Sequence, residues 1–286
     1  MAKKFIFNAD NLGQSKAANK AIIELYNEGF LKSASLTANA PEFKEVTETV
    51  LPQCPELGVG VRLNITCGKS VCADVDRLAD LSGKFVSSIP KILINSFNPK
   101  DKEFFPQLER EFRRQIELVL SKTTATHIDS VCDIHLIPPI FDLVCRLASE
   151  YKIKWIRTKH EQKYFIPDMF QNMNKKMFVN SLRFLLFNYL TGYNKEILVK
   201  YELSANDYFI GLMYNSMTSP LSLSYGISAI PDGEDIVVDT SINPARDEEG
   251  IIDSSFLDYV TAKNKKLHEM IEGLGFEITN YVEKEA

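Results

Sequence analysis

The chain has 286 residues, 45% of them apolar, which is enough for one large α/β domain with a full core. A formal net charge of −5 argues against a nucleic-acid partner, which usually shows a basic excess. No apolar run approaches the roughly 18 residues of a membrane span, and the run near Met1 is too short for a secretion signal.

The first predicted strand is Phe5-Ile6-Phe7, ending in the polar Asn8-Ala9-Asp10-Asn11. A helix follows, with Ala17, Ala18, Ala21, Ile22, Leu25 and Tyr26 at spacings of three and four, and Gly29 able to end it. Leu36 to Asn39 reads as a second strand, Phe43 to Val50 as a short helix, and Leu57 to Ile65 as a third strand. From Pro106 a helix carries Leu108, Phe112, Ile116 and Val119 on one face. Ala125 to Ile134 is the next strand, Pro139 to Glu150 the next helix, and Lys154 to Arg157 strand again. Residues 159–205 break the rhythm and read as a mostly helical insertion. There Phe178, Phe184, Phe187 and Tyr189 are expected to pack the insertion rather than to bind a sugar. Tyr208 to Leu212, Asp235 to Thr240 and Phe276 to Ile278 resume strand, with a last helix from Ser254 to Gly273, on which His268 is expected to be solvated. The β-α alternation predicts a parallel sheet or barrel in one domain over 1–286. Five cysteines without a CxxC pair suit a reducing compartment, so a cytoplasmic location is expected.

Polar residues gather at the C-terminal ends of these strands: Asp10, Asn39, Arg62 with Asn64, Asp129 to Asp133, Arg157 and Asn243. In β/α barrels that rim holds the active site. The stretch from Thr126 to His135 is the most informative, because two of the four histidines fall there with Asp129 and Asp133 between them. Such side chains bind divalent cations and move protons. Val131 and Cys132, however, stand where a working site of this pattern would want imidazole. His127 and Asp129 are equally readable as buried structural residues.

At these positions the chain resembles the YdjC/ChbG family of carbohydrate deacetylases. The family's Asn-Ala-Asp-Asp-Phe-Gly appears as Asn8-Ala9-Asp10-Asn11-Leu12-Gly13, and a Thr-Ser-x-Ser-Leu-Met-x-Asn segment as Lys32 to Asn39. Its Val-Gly-Leu-His-Leu-Asn-Leu-Thr strand appears as Val59 to Thr66. Its Thr-His-Ile-Asp-Ser-His-x-His-x-His strand appears as Thr126 to His135, and a late His-Pro-Gly as Asn243-Pro244-Ala245. The resemblance implies a single-domain distorted β/α, TIM-like barrel and a small-molecule carbohydrate as substrate. It implies a divalent metal such as zinc or magnesium, held at positions that are Asn11, Arg62 and Val131 here. Asn ligates weakly, and Arg and Val not at all, so no metal cofactor is expected. The family's general-acid histidine is Asn243, while the presumed catalytic base, Asp10, remains.

A metal takes its bound water from a pKa of about 15.7 toward about 7. Losing it withdraws roughly 8 pK units, on the order of 11 kcal/mol. General-base catalysis by Asp10, worth about 10²–10⁴-fold, does not replace that. The expected function is therefore a divergent deacetylase homologue, acting on or binding an acylated or amino sugar without metal-dependent deacetylation. Arg62, Asp133, His135, Arg157 and Asn243 are its candidate substrate-binding residues. One rival is an active deacetylase recruiting a metal through Asp10, Asp133 and His135. Another is a pseudoenzyme that binds a sugar or a protein partner, and a homodimer is left open.

Overall fold

The computed structural model describes residues 3–167, 175–246 and 253–281. Its centre is β1 (Lys3–Leu12), buried from Phe5 to Asp10. A parallel strand covered on both faces reads as a near-continuous apolar run, and β1 does so until Asn8. Ser15 then caps α1 (Lys16–Asn27), its hydroxyl accepting from the Ala18 N–H at 3.1 Å. Gly29, at φ +82°, ends that helix in the left-handed region.

Next come β2 (Ser33–Leu36), α2 (Phe43–Glu45), a π-helical turn Val46–Val50, α3 (Leu51–Gln53) and β3 (Gly58–Leu63). α4 (Ile89–Ser96) and α5 (Phe104–Leu120) precede β4 (His127–Ser130). A 3-10 segment Val131–Leu136 leads into α6 (Pro138–Glu150), followed by β5 (Trp155–Ile156) and the long α7 (Lys175–Lys200). The chain closes with β6 (Tyr208–Ile210), α8 (Pro220–Ser228), β7 (Val237–Ile242), α9 (Ser254–Ala262), α10 (Lys265–Gly273) and β8 (Phe276–Ile278).

All ladders between these strands are parallel, in the order β5-β4-β3-β2-β1-β7-β6, with β8 also on β1. The result is a curled sheet with helices outside, an α/β half-barrel. The closed barrel expected from the sequence is not completed by a ladder among the described residues: beyond its ladder with β4, β5 makes only an isolated bridge from Trp155 to Ser204, and the described ladder of β6 is with β7. Backbone bonds span the gap: Ser204 donates to the Lys154 carbonyl and accepts from the Ile156 N–H, each at 2.9 Å, and the Phe209 N–H donates to the His160 carbonyl at 2.6 Å.

Three local expectations change. β4 stops at Ser130, because Cys132 and Asp133 take φ of 58° and 55°, which no strand accommodates. The last helix is two, divided where the Asn264 side chain caps α10 by accepting from the Leu267 N–H at 3.0 Å. His268 is buried, not solvated: its ring stacks on Phe7 at 5.0 Å, and Nε2 donates to the Ala262 carbonyl at 2.7 Å.

Alternate residues along the strands point to the concave face of the curl. At its N-terminal end Ile6, Val237 and Tyr281 form an apolar plug with Trp155 against it. One layer up, the His127 ring stacks on Tyr281 at 4.1 Å between centroids. That ring fills the space over Gly60, where an added Cβ would lie 2.3 Å from it. Its nitrogens meet Thr126 Oγ1 at 2.9 Å and Ser35 Oγ at 3.0 Å, so it has little freedom to move. Gly60→Ala is therefore expected to cost about 1–3 kcal/mol, the usual scale of overpacking. Urea unfolding of the variant measures it, and an unchanged midpoint would mean that the ring yields.

Candidate functional site

Above the His127 layer the concave face turns charged. Asp10 ends the buried part of β1, Arg62 lies on β3, Asp129 on β4, Arg157 just past β5 and Asp239 on β7. Their side chains converge. Arg62 Nη1 lies 2.9 Å from Asp10 Oδ2 and 2.7 Å from Asp129 Oδ2. Arg157 pairs with Asp10, with Asp129 at 3.0 Å, and through Nε and Nη2 with Asp239. Arg157 is 1% exposed and Arg62 13%, so the cluster is nearly dry.

Neutral groups complete it. Asn8 Nδ2 donates to Asp10 Oδ1 at 2.9 Å and to Ser35 Oγ at 2.8 Å, and Ser35 Oγ donates to Asp129 Oδ2 at 3.1 Å. Tyr281 Oη donates to Asp239 Oδ2 at 2.8 Å. Burial alone would raise the Asp10 pKa, but the guanidinium of Arg157, then that of Arg62, outweighs it and holds the carboxyl well below the usual range. Burial also pushes the His127 pKa down to about 3, so its imidazole is neutral.

Beside the cluster lies a polar cavity of about 360 Å³, lined by Asn11, Asn215, Ser241, Asn243 and Asp258 among others. Asn11 Nδ2 donates to the Pro244 carbonyl at 3.0 Å, while its buried Oδ1 has no protein partner. Asp258 Oδ2 accepts from the Asn243 N–H at 2.8 Å. Burial raises the Asp258 pKa to about 6, against the lowering effect of that bond and with a further push from the charge on Asp10. A carboxyl titrating near 6 can exchange a proton at neutral pH, which Asp10 cannot.

The residues predicted from the sequence thus fall in separate places. Asp10, Arg62 and Arg157 meet in the ion cluster. Asn243 lines the polar cavity. Asp133 pairs with the buried Lys159 at 3.6 Å. His135 is fully buried, its Nε2 donating to the Arg157 carbonyl at 2.9 Å and Nδ1 meeting Ser130 Oγ at 2.6 Å. Asn39 and Asn64 bond one another at 3.1 Å, and their amides hold the backbone at Cys67 and Lys69. Sequence reasoning missed Asp239, Lys159 and Asp258 as site residues. Asp239 and Ser241 alternate along β7 as Asn8 and Asp10 do along β1, a signal available in the sequence. Asp258, on a helix, gave none.

A divalent cation does not fit these side chains as placed. Among the described residues no three His, Cys, Asp or Glu side chains converge to hold one. Both oxygens of Asp10 and Oδ2 of Asp129 are bonded to guanidinium N–H groups. Both ring nitrogens of His135 are engaged.

A family model described as YdjC-like protein matches residues 4–270. A carbohydrate deacetylase of Brevibacillus brevis is 35% identical over 158 residues, 52% of this chain and 57% of that one. A carbohydrate deacetylase of Geobacillus stearothermophilus is 32% identical over 188 residues, covering 63% of this chain and 73% of that one. The matched part thus spans less than two thirds of the first of these relatives. A crystal structure from Enterococcus faecalis, of a protein assigned to cellobiose-phosphate cleavage, superposes with a TM-score of 0.74. It covers 98% of both chains at 20% identity, a likeness of fold.

Removing one partner of a buried ion pair typically costs about 3–5 kcal/mol. Arg62→Met, which keeps length but not charge, is expected to lose about that much at pH 7. The folded-state pKa of Asp10 lies below its unfolded value, so its contribution is present above the unfolded value and drains as pH falls through the folded one. The variant has less of that contribution to lose, so its deficit should narrow below about pH 4. Urea unfolding at pH 7 and pH 3.5 measures both, and a deficit under about 0.5 kcal/mol at pH 7 would place Arg62 among ordinary surface residues.

Proposed function

The chain belongs to the YdjC-like family, and on that premise we propose that it binds an acylated or amino sugar in the polar cavity without metal-dependent deacetylation. The observation that carries this is the Arg62 guanidinium bridging Asp10 and Asp129 at 2.9 and 2.7 Å, in the motif position where the resemblance expects imidazole. Guanidinium stays protonated in proteins and has no lone pair to give a metal. It supplies one fixed positive charge where the family reaction needs a Lewis acid and a water of lowered pKa. The carbohydrate reading is supported by the cavity lining: amides, hydroxyls and one carboxylate, with the buried Asn11 carbonyl oxygen without a protein partner. Sugars are recognised by such convergent donors and acceptors.

Within that cavity Asn11 is the fixed acceptor, held by its bond to the Pro244 carbonyl, and Asp258 is the group able to take or give a proton. Asp10, paired and ionised, keeps the cluster rigid and serves as a fixed negative charge. The rival reading, a metal held by Asp10, Asp133 and His135, requires each of the three to leave its present partner.

The test has two arms. Titration of the metal-free chain with zinc should give no saturable site of micromolar affinity, and elemental analysis should give well under one ion per chain. N-acetylglucosamine should bind, and Asn11→Ala should weaken it about 5–10-fold, the scale of one hydrogen bond of about 1–1.5 kcal/mol. A zinc site weakened by His135→Ala would instead establish the active-deacetylase reading. Absence of binding by any amino sugar would remove the carbohydrate reading.

A further inference from the structure

A second cavity, of about 420 Å³, opens between α4, the 3-10 segment and α7. Its walls are mostly apolar, with Ile89, Leu93, Leu186, Leu190 and Tyr193 prominent. Leu93, Leu186 and Tyr193 are 46%, 52% and 59% exposed, so this apolar surface faces water. The insertion's aromatics do not simply pack it: Phe187 is buried, but Phe178 and Tyr189 are exposed. A soluble chain seldom leaves such a concave apolar surface without a use.

One buried side chain, that of Lys159, links the walls of the two cavities. Asp133 lines the apolar cavity, and its Oδ1 lies 3.6 Å from Lys159 Nζ. The same amine lies 3.5 Å from Ser241 Oγ, which lines the polar cavity. Lys159 is buried and its ammonium sits 3.6 Å above the Phe209 ring, which holds it in place. The left-handed backbone of Cys132 and Asp133 is what ends β4 here and turns the chain into the apolar wall.

We infer that the apolar cavity takes a linear aliphatic chain attached to the sugar that the polar cavity binds, so that the ligand is amphipathic, with a carbohydrate head and a hydrocarbon tail. This rests on the carbohydrate reading given above. The lining has Asp133 and Arg183 as its charged groups and is otherwise apolar, with one phenol each from Tyr189 and Tyr193, so it selects shape and apolarity over a hydrogen-bond pattern. Its concavity suits a chain better than the flat face of a protein partner, and the Asp133–Lys159–Ser241 contacts set its wall beside that of the polar cavity.

Each buried methylene contributes about 0.8 kcal/mol, or about fourfold in Kd. Calorimetric titration of the full chain with methyl, butyl, hexyl and octyl N-acetylglucosaminides, below micelle concentrations, should show Kd falling about fourfold per methylene before it levels off. Leu186→Asn and Leu93→Asn, both at half-exposed positions that tolerate polarity, should flatten the series while leaving the methyl glycoside unchanged. A flat series in the wild type, with the methyl glycoside bound, overturns the tail site and leaves the carbohydrate reading standing. Chain-length dependence that neither variant alters also overturns it, since the tail then binds elsewhere. Binding of octanol but of no glycoside removes the carbohydrate reading and this inference together. A stable dimer by light scattering that Leu186→Asn converts to monomer assigns the cavity to a second copy and overturns it as well.

Discussion

The buried ion cluster of Asp10, Arg62, Asp129, Arg157 and Asp239 is the constraint around which the concave face is arranged. Three carboxylates and two guanidiniums sit where water scarcely reaches. Taking a charge out of water costs several kcal/mol per ion, and the attraction between partners offsets this only when geometry and extra hydrogen bonds are good. The surroundings meet that condition: Asn8, Ser35 and Tyr281 add donors to carboxylate oxygens that the arginines also bond, Asp10 Oδ1, Asp129 Oδ2 and Asp239 Oδ2. Among the described residues, Asp129 Oδ1 is a buried oxygen of the cluster with no hydrogen-bond partner.

The same demand explains the layering. Each strand lends alternate residues to the concave face, so the register that puts Asp10 and Asp239 in the cluster also puts Ile6 and Val237 in the plug. His127 must be neutral between them, because a protonated ring beside two guanidiniums in a dry layer would be repelled. Its burial keeps it so. The C-terminal segment is part of this arrangement: Tyr281 closes the plug, stacks on His127 and donates to Asp239.

A fixed guanidinium pair changes what such a rim can do. A metal gathers lone pairs and acidifies water, whereas guanidinium holds anions in place and has no acid-base chemistry at neutral pH. Burial raises the pKa of Asp258, outside the cluster, to about 6, whereas at Asp10 the guanidiniums of Arg157 and Arg62 outweigh burial. Helix α7 lines the apolar cavity, whereas the cavity beside the cluster is polar.

The motifs at Asn8 to Gly13, Val59 to Thr66 and Thr126 to His135 were readable in the chain itself, and with them the family and the parallel strands. Period-two alternation and the chemistry of side chains are local properties, and a sequence states them directly. What it did not state was which polar residues share a space. His135 and Asn243 follow similar strands, yet one is buried behind Arg157 and the other opens on a cavity. That difference comes from two left-handed residues after β4, and nothing in a Val-Cys-Asp stretch announces them. Asp258 joined the site from a helix 15 residues beyond Asn243, and Lys159 links the walls of the two cavities by reaching from Asp133 to Ser241. Contacts between distant segments depend on how far the sheet curls and where each strand stops, and only the tertiary structure decides those.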